Sequence, residues 1–331
     1  VPESNPHGRF VWHELMTTDP EAAIKFYPGV TGWGVLPFEQ DPSYRMWTVQ
    51  GMPIGGVLPL SDEAKSMGAH PYWLPYIGTA DLDGSTAHAT RLGATVVVRP
   101  TTIIPGRFSV LRDPQGATFA LFESSREMPM PGREGDAAVG EFSWHELATT
   151  DGDAAWAFYR ALCDWKPTTA MDMGPDGKYQ MFGRNGVELG GIYNRKAGAD
   201  GRPQWLCYVR VASTDRAVST TKSQGGGVVS GPMQVPGGNY IASLHDAHGV
   251  AFAVHEEREH VAPAAKPKAK AKAKAKAKVK AKAKPKKKAK AAPKAKKKSK
   301  PAAKKKPKPK KTVKARAKSR PKPKKKARAK K

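Results

Sequence analysis

Two kinds of periodicity alternate along the first 256 residues. The stretch RFVWHELMTT (Arg9 to Thr18) is rich in β-formers and changes polarity residue by residue, as a half-buried strand does. Asp19-Pro20 follows, an N-cap residue and then proline at the first helical position. Ala23, Ile24, Phe26 and Tyr27 then recur at helical spacing and predict a helix. Short β-like runs come next, YRMWTV (Tyr44 to Val49) and IGGVLPL (Ile54 to Leu60), punctuated by glycine and proline. A second unit opens with WLPYIG, continues as a helix from Asp81 to Leu92 stopped by Gly93, and ends in TVVV, FSVL and TFALFE. Each unit reads as strand, helix, three strands.

The whole pattern is then written again. WHELMTTD (Trp12 to Asp19) returns as WHELATTD (Trp144 to Asp151), and Phe26-Tyr27, Trp33 and Pro71-Tyr72-Trp73-Leu74 reappear as Phe158-Tyr159, Trp165 and Pro203-Gln204-Trp205-Leu206. DPQG at Asp113 matches DAHG at Asp246. Repetition at this length implies two copies of one domain. The expected organisation is an N-terminal extension over 1–9, a first domain over 10–123, a Pro/Gly-rich linker over 124–140, a second domain over 141–257 and a basic tail over 258–331. Pro28, whose counterpart is Arg160, is expected to end or kink the first helix early.

Charge divides the chain more sharply still. The formal net charge is +28, yet residues 264–331 hold 36 of the 57 Lys and Arg and none of the 29 Asp and Glu. That leaves 21 basic against 29 acidic residues before position 264, an acidic body with a polycationic tail. The tail is almost entirely Lys, Ala, Pro and Arg, with nothing to bury, so it reads as disordered. Its composition resembles the tails of linker histones and bacterial histone-like proteins. Each neutralised phosphate releases a condensed counterion, so DNA or RNA is the expected partner, bound without sequence specificity. Lys266, Lys268, Lys270, Lys272, Lys286, Lys287, Lys288, Lys304, Lys305, Lys306, Lys324, Lys325 and Lys326 represent that surface. The two cysteines, Cys163 and Cys207, sit in two differently patterned segments and imply no disulfide framework. VPESNPHGRF does not resemble a secretory leader, and no apolar run is long enough to span a membrane. A soluble, cytoplasmic protein is expected, with nucleoid association following from the tail.

The unit order, the [ED]-L-x-T-x-D opening, the FY-x-x-x-x-x-W helix end and D-P-x-G before the last strand of the first domain together resemble the vicinal oxygen chelate superfamily. It includes glyoxalase I, extradiol dioxygenases and bleomycin-resistance proteins, and the resemblance covers residues 10–256. It implies an α+β fold of four βαβββ units forming two tandem glyoxalase-like domains, each a cupped sheet whose inner face holds a small molecule. Metal-binding members draw ligands from the first and last strands of each unit. Here those positions fall on Trp12, Trp144, Leu74, Leu206, Gly56, Ala120, Gly191 and Ala253, none of which offers a side-chain donor. No cofactor is therefore expected. A divalent metal is the lesser alternative, since an offset of one residue would bring in Glu14 or His255.

Alternation on the first strand puts Trp12 and Glu14, and likewise Trp144 and Glu146, on the cup face, with His13 and His145 under the helices. HExxH zinc chemistry is excluded, because the element is a strand and Thr17 or Thr149 stands where the second histidine would be. A carboxylate in an aromatic cup needs a partner. An arginine such as Arg45 or Arg184 and a role in ligand anchoring or acid–base work are both open. The cavity candidates are Trp12, Glu14, Tyr44, Met46, Tyr76, Trp144, Glu146, Tyr179, Met181, Tyr208 and His255; Trp47 belongs to the same aromatic set, for which core packing is the competing account. His245, His248 and His255 read as solvated. No residue is identified as catalytic. The leading expectation is a metal-free small-molecule-binding protein tethered to nucleic acid; the alternatives are a metal-dependent lyase or dioxygenase, and a histone-like protein with a passenger body.

Overall fold

The computed structural model describes residues 5–66, 68–125, 137–196 and 202–258. All the tail lysines named above and most of the proposed linker lie outside these residues.

The first half supplies β1 (Phe10–Thr17), α1 (Pro20–Thr31), β2 (Gly34–Phe38), β3 (Asp41–Val49), β4 (Met52–Pro59), α2 (Asp62–Ser66), β5 (Tyr72–Gly78), α3 (Leu82–Arg91), β6 (Thr95–Ile103), β7 (Gly106–Arg112) and β8 (Thr118–Ser124). The second half supplies β9 (Phe142–Thr149), α4 (Gly152–Cys163), β10 (Lys166–Asp172), β11 (Lys178–Arg184), β12 (Val187–Asn194), β13 (Gln204–Arg210), α5 (Thr214–Ser223), β14 (Gly227–Gln234), β15 (Tyr240–His245) and β16 (Ala251–Glu256). They build two eight-stranded sheets of one topology, β2-β3-β4-β1-β5-β8-β7-β6 and β10-β11-β12-β9-β13-β16-β15-β14. In each, the opening strand pairs parallel with the last strand of its own unit and antiparallel with the opening strand of the next. Two βαβββ units thus meet along β1–β5, and two more along β9–β13.

Each long helix starts where its sequence caps it. The side chains of Asp19, Asp81, Asp151 and Ser213 accept the backbone N–H of Ala22, Gly84, Ala154 and Arg216, satisfying donors that the helix leaves open. Pro28 does not end α1. The helix runs on to Thr31 and closes at Gly32, whose left-handed conformation lets its N–H reach the Pro28 carbonyl. Proline forfeits one helical hydrogen bond there, while Phe26, Tyr27 and Val30 remain buried around it, and packing prevails over local preference.

The long helices pack between the two sheets, and the two largest core clusters each draw on both halves. One cluster joins Leu15, Tyr27, Trp33, Trp47 and Trp73 to Val209, Leu244 and Phe252; the other joins Ile77, Leu111 and Phe119 to Leu147, Tyr159, Trp165 and Trp205. Reciprocal polar contacts fix the docking. Tyr27 donates to Asp246 Oδ2 (3.1 Å) and Tyr159 to Asp113 Oδ2 (3.0 Å). Trp33 Nε1 donates to the Gly140 carbonyl (2.6 Å) and Trp165 Nε1 to that of Gly8 (2.7 Å). The D-P-x-G aspartate also closes its own turn, Asp113 Oδ1 accepting from Gln115, Gly116 and Ala117 N–H. Trp47 is fully buried in this shared core and not in the cup, its Nε1 donating to the Gly56 carbonyl (2.9 Å).

His13 and His145 sit on the helix-side faces, yet what they meet is each other. Their Nε2 atoms are 2.7 Å apart, His13 stacks on Phe142 and His145 on Phe10, each at 3.6 Å between centroids. Both are buried, and burial pushes both imidazoles below their usual value, His145 to about 3. Among the described residues no helix is long and apolar enough to cross a membrane. Cys163 and Cys207 are free and buried.

Candidate functional site

The face of each sheet away from the helices carries one carboxylate ringed by phenols. On β1, Leu15 points into the core, so Trp12 and Glu14 project the other way. Pairing places Glu14 beside Gly56 of β4 and Leu74 of β5, and Trp12 beside Tyr76. Glu14 Oε1 accepts from Tyr44 (2.7 Å), Oε2 from Tyr76 (2.6 Å), and Trp12 Nε1 donates to the Tyr44 oxygen (3.1 Å). On the second sheet Glu146 Oε2 accepts from Tyr179 (3.0 Å) and Tyr208 (3.1 Å), and Trp144 Nε1 donates to the Tyr179 oxygen (2.8 Å). Tyr193 also hydrogen-bonds Glu146.

Glycine makes this possible. A Cβ on Gly56 would lie 1.9 Å from the Tyr44 oxygen, and one on Gly191 would lie 2.1 Å from the Tyr179 ring. The phenols therefore occupy the space where a last-strand ligand side chain would stand. Met46, facing Gly56 across β3–β4, and Met181, facing Gly191, flank them half-buried.

The carboxylates expected to pair with an arginine are instead held by tyrosine hydroxyls. Arg45 donates to the Pro42 carbonyl and Arg184 to that of Asn5 (2.7 Å), while tyrosine hydroxyls satisfy Glu14 and Glu146. Burial raises both glutamates above the ordinary carboxyl value, and the tyrosine hydrogen bonds oppose the rise without cancelling it. Burial together with the neighbouring glutamate pushes all five tyrosines upward, so they remain O–H donors.

A superfamily metal centre does not fit these cups. Trp12, Leu74, Gly56 and Ala120 provide no donor, nor do Trp144, Leu206, Gly191 and Ala253. The single carboxylate in each already accepts phenolic protons. His255 Nδ1 contacts Ser143 Oγ (3.1 Å), where a bulge between Phe142 and Trp144 turns the serine out of register. His245, half-buried, meets the Asp246 carbonyl, and His248 is exposed in the turn. Among the described residues these three histidines form no ligand group.

Several cup residues escaped the sequence reading. Val11, Val110, Phe122 and Phe108 gather around Tyr76 on the first sheet. Tyr193 lies two residues beyond Gly191 on the same strand face, so alternation could have found it; its position holds no tyrosine in the first copy, where Leu58 stands. The phenylalanines belong to β7 and β8, whose place beside β5 depends on strand order.

Comparison with known proteins agrees with this architecture. A family model for the glyoxalase-like domain matches residues 12–122. The chain is 30% identical over 275 residues to the anthracycline biosynthesis protein DauV of Streptomyces sp. strain C5, covering 78% of this chain and 96% of that one. It is 29% identical over 251 residues to a Mycobacterium tuberculosis protein named "Putative glyoxylase CFP32", covering 73% and 92%. The Mn(II)-bound glyoxalase from Novosphingobium aromaticivorans shares the fold with a TM-score of 0.54 at 15% identity, over 76% of this chain and 82% of that one. So does the 2,3-dioxygenase LapB from Pseudomonas sp. KL28, with a TM-score of 0.55 at 12% identity, over 76% and 93%. The chain belongs to the glyoxalase-like family, as two tandem sheets of that class.

Proposed function

We propose that this protein binds a small molecule in one or both cups without a metal ion, and that its basic tail holds it to a polyanion such as DNA or RNA. The observation that carries the first part is the repeated Glu–Tyr–Tyr–Trp network. A buried carboxylate held by phenols at 2.6–3.1 Å, with indole and thioether groups beside it, offers a polar anchor in an apolar setting. Such a lining suits an aromatic ligand with a donor or cationic group that can share the carboxylate. The relative named for anthracycline biosynthesis accords with an aromatic ligand. The second part rests on charge alone, 36 positive and no negative residues over 264–331.

Native mass spectrometry of full-length protein purified from its own host tests the cup. A retained small-molecule adduct is expected, diminished by Glu146→Gln or Glu14→Gln while urea unfolding stays cooperative. Equal retention by the double variant would refute the assignment.

A further inference from the structure

On the opposite side of the sheets from the cups, His13, His145 and Cys207 bring three donor atoms within 4.8 Å of one another, the one such group among the described His, Cys, Asp and Glu residues. The strands dictate the meeting. Cys207 on β13 stands directly opposite His145 on β9, and docking of the two halves brings His13 onto His145. The position equivalent to Cys207 in the first half is Pro75, opposite His13, so the trio is a departure from the repeat.

Proton counting shows what the trio lacks. His145 Nδ1 contacts the Leu189 carbonyl (3.2 Å), and His13 hydrogen-bonds the backbone of Ile54, the matching residue of the other half. Carbonyls only accept, so each contact takes the single N–H of a neutral imidazole. Both Nε2 lone pairs then face each other at 2.7 Å, a repulsive arrangement until a cation comes between them. A shared proton would leave a charge buried between Phe10 and Phe142, which stack on the two imidazoles.

We propose that His13 Nε2, His145 Nε2 and Cys207 Sγ form a binding site for one monovalent, thiophilic d10 cation, Cu(I). On binding, the Cys207 S–H bond breaks, a Cu–S bond forms and one proton leaves, so a single positive charge enters as another departs and the site stays neutral. No electron is transferred. Zn(II) bound in the same way would retain a net positive charge in a closed apolar setting, and it demands a fourth ligand that the trio does not supply. Trigonal coordination at metal–nitrogen distances of about 2.0 Å sets the two nitrogens about 3.5 Å apart, a parting of under roughly 1 Å shared between two rings.

The test uses the full chain, loaded with Cu(I) by anaerobic titration against a chromophoric chelator and, separately, by expression in copper-supplemented cells. One equivalent is expected by at least one route, with an absorption edge of a three-coordinate site having two nitrogen neighbours and one sulfur. Cys163→Ser, which alters the other buried thiol, should retain it. Cys207→Ser, the apolar Cys207→Val and His145→Gln should bind at least tenfold more weakly while circular dichroism stays native. Failure of the wild-type chain to hold Cu(I) by either route, or undiminished binding by Cys207→Val, overturns the proposal. So does stoichiometric uptake of Zn(II) in preference to Cu(I).

Discussion

Removing a single oxygen, by Tyr27→Phe, should weaken the whole body and not one half of it. The Tyr27 hydroxyl donates to Asp246 Oδ2 and accepts from Trp73 Nε1 (3.2 Å), all in the buried seam where α1 meets the other half. Phenylalanine keeps the ring contacts with Trp33, Trp47, Trp73 and Phe252. What is lost is one hydrogen bond to a charged group, about 1.5–3 kcal/mol, and the partner of a buried indole N–H, about 1 kcal/mol more. The expected loss is therefore about 2.5–4 kcal/mol. At a urea slope of about 2–3 kcal/mol/M this moves the midpoint down by roughly 1–2 M. Tyr159→Phe, which releases Asp113 and Trp205 in the same way, should cost a similar amount. Because the two largest cores draw on both halves, tryptophan fluorescence and far-ultraviolet circular dichroism should report one coincident transition in either variant. Two resolved transitions, or an unchanged midpoint in both variants, would refute the shared core.

Purified protein should carry far less than one equivalent of Mn, Fe, Ni or Zn by elemental analysis, because the cup positions lack donors; a stoichiometric ion lost on Glu14→Gln or Glu146→Gln would contradict this. Glu256 is held down to about 2 by Arg258 and by the Thr214 N–H and hydroxyl at the start of α5. A depressed carboxyl stabilises the fold above its unfolded value near 4.5 and ceases to do so as pH falls toward 2, so Glu256→Gln should flatten the dependence of Tm on pH across that window. Duplex binding should reside in the tail: six to ten phosphate contacts predict a loss of about three to five decades between 50 and 200 mM salt, with no preference between unrelated duplexes. Retained binding by a chain ending at Pro263 would move the activity into the body.

Local rules make much of this legible in the sequence. Polarity that alternates around Leu15 sets Glu14 on the face opposite the core, because successive strand side chains point to opposite sides. Asp19 and Asp151 announce helix starts, since a carboxylate can take the N–H groups a helix leaves unpaired. Tyr44, Tyr76, Tyr179 and Tyr208 stand out in the sequence only as members of an aromatic set; that they hold the glutamates is visible in the structure. Pro28 shows where the same rules lose. One forfeited hydrogen bond is outweighed by the burial of Phe26, Tyr27 and Val30 against the other half of the molecule.

From the sequence by itself came the duplicated unit, the alternation, the caps and the charge division, because each depends on neighbours within a few residues or on counting. The tertiary structure alone decided who answers whom across long separations. The glutamates take tyrosines, because glycine at 56 and 191 lets a phenol from the next strand lie over the sheet. The histidines expected beneath their own helices face one another, because the halves dock helix side to helix side and share two cores. Nothing near His13 in the chain specifies His145, which lies 132 residues away, so only packing could bring them to 2.7 Å.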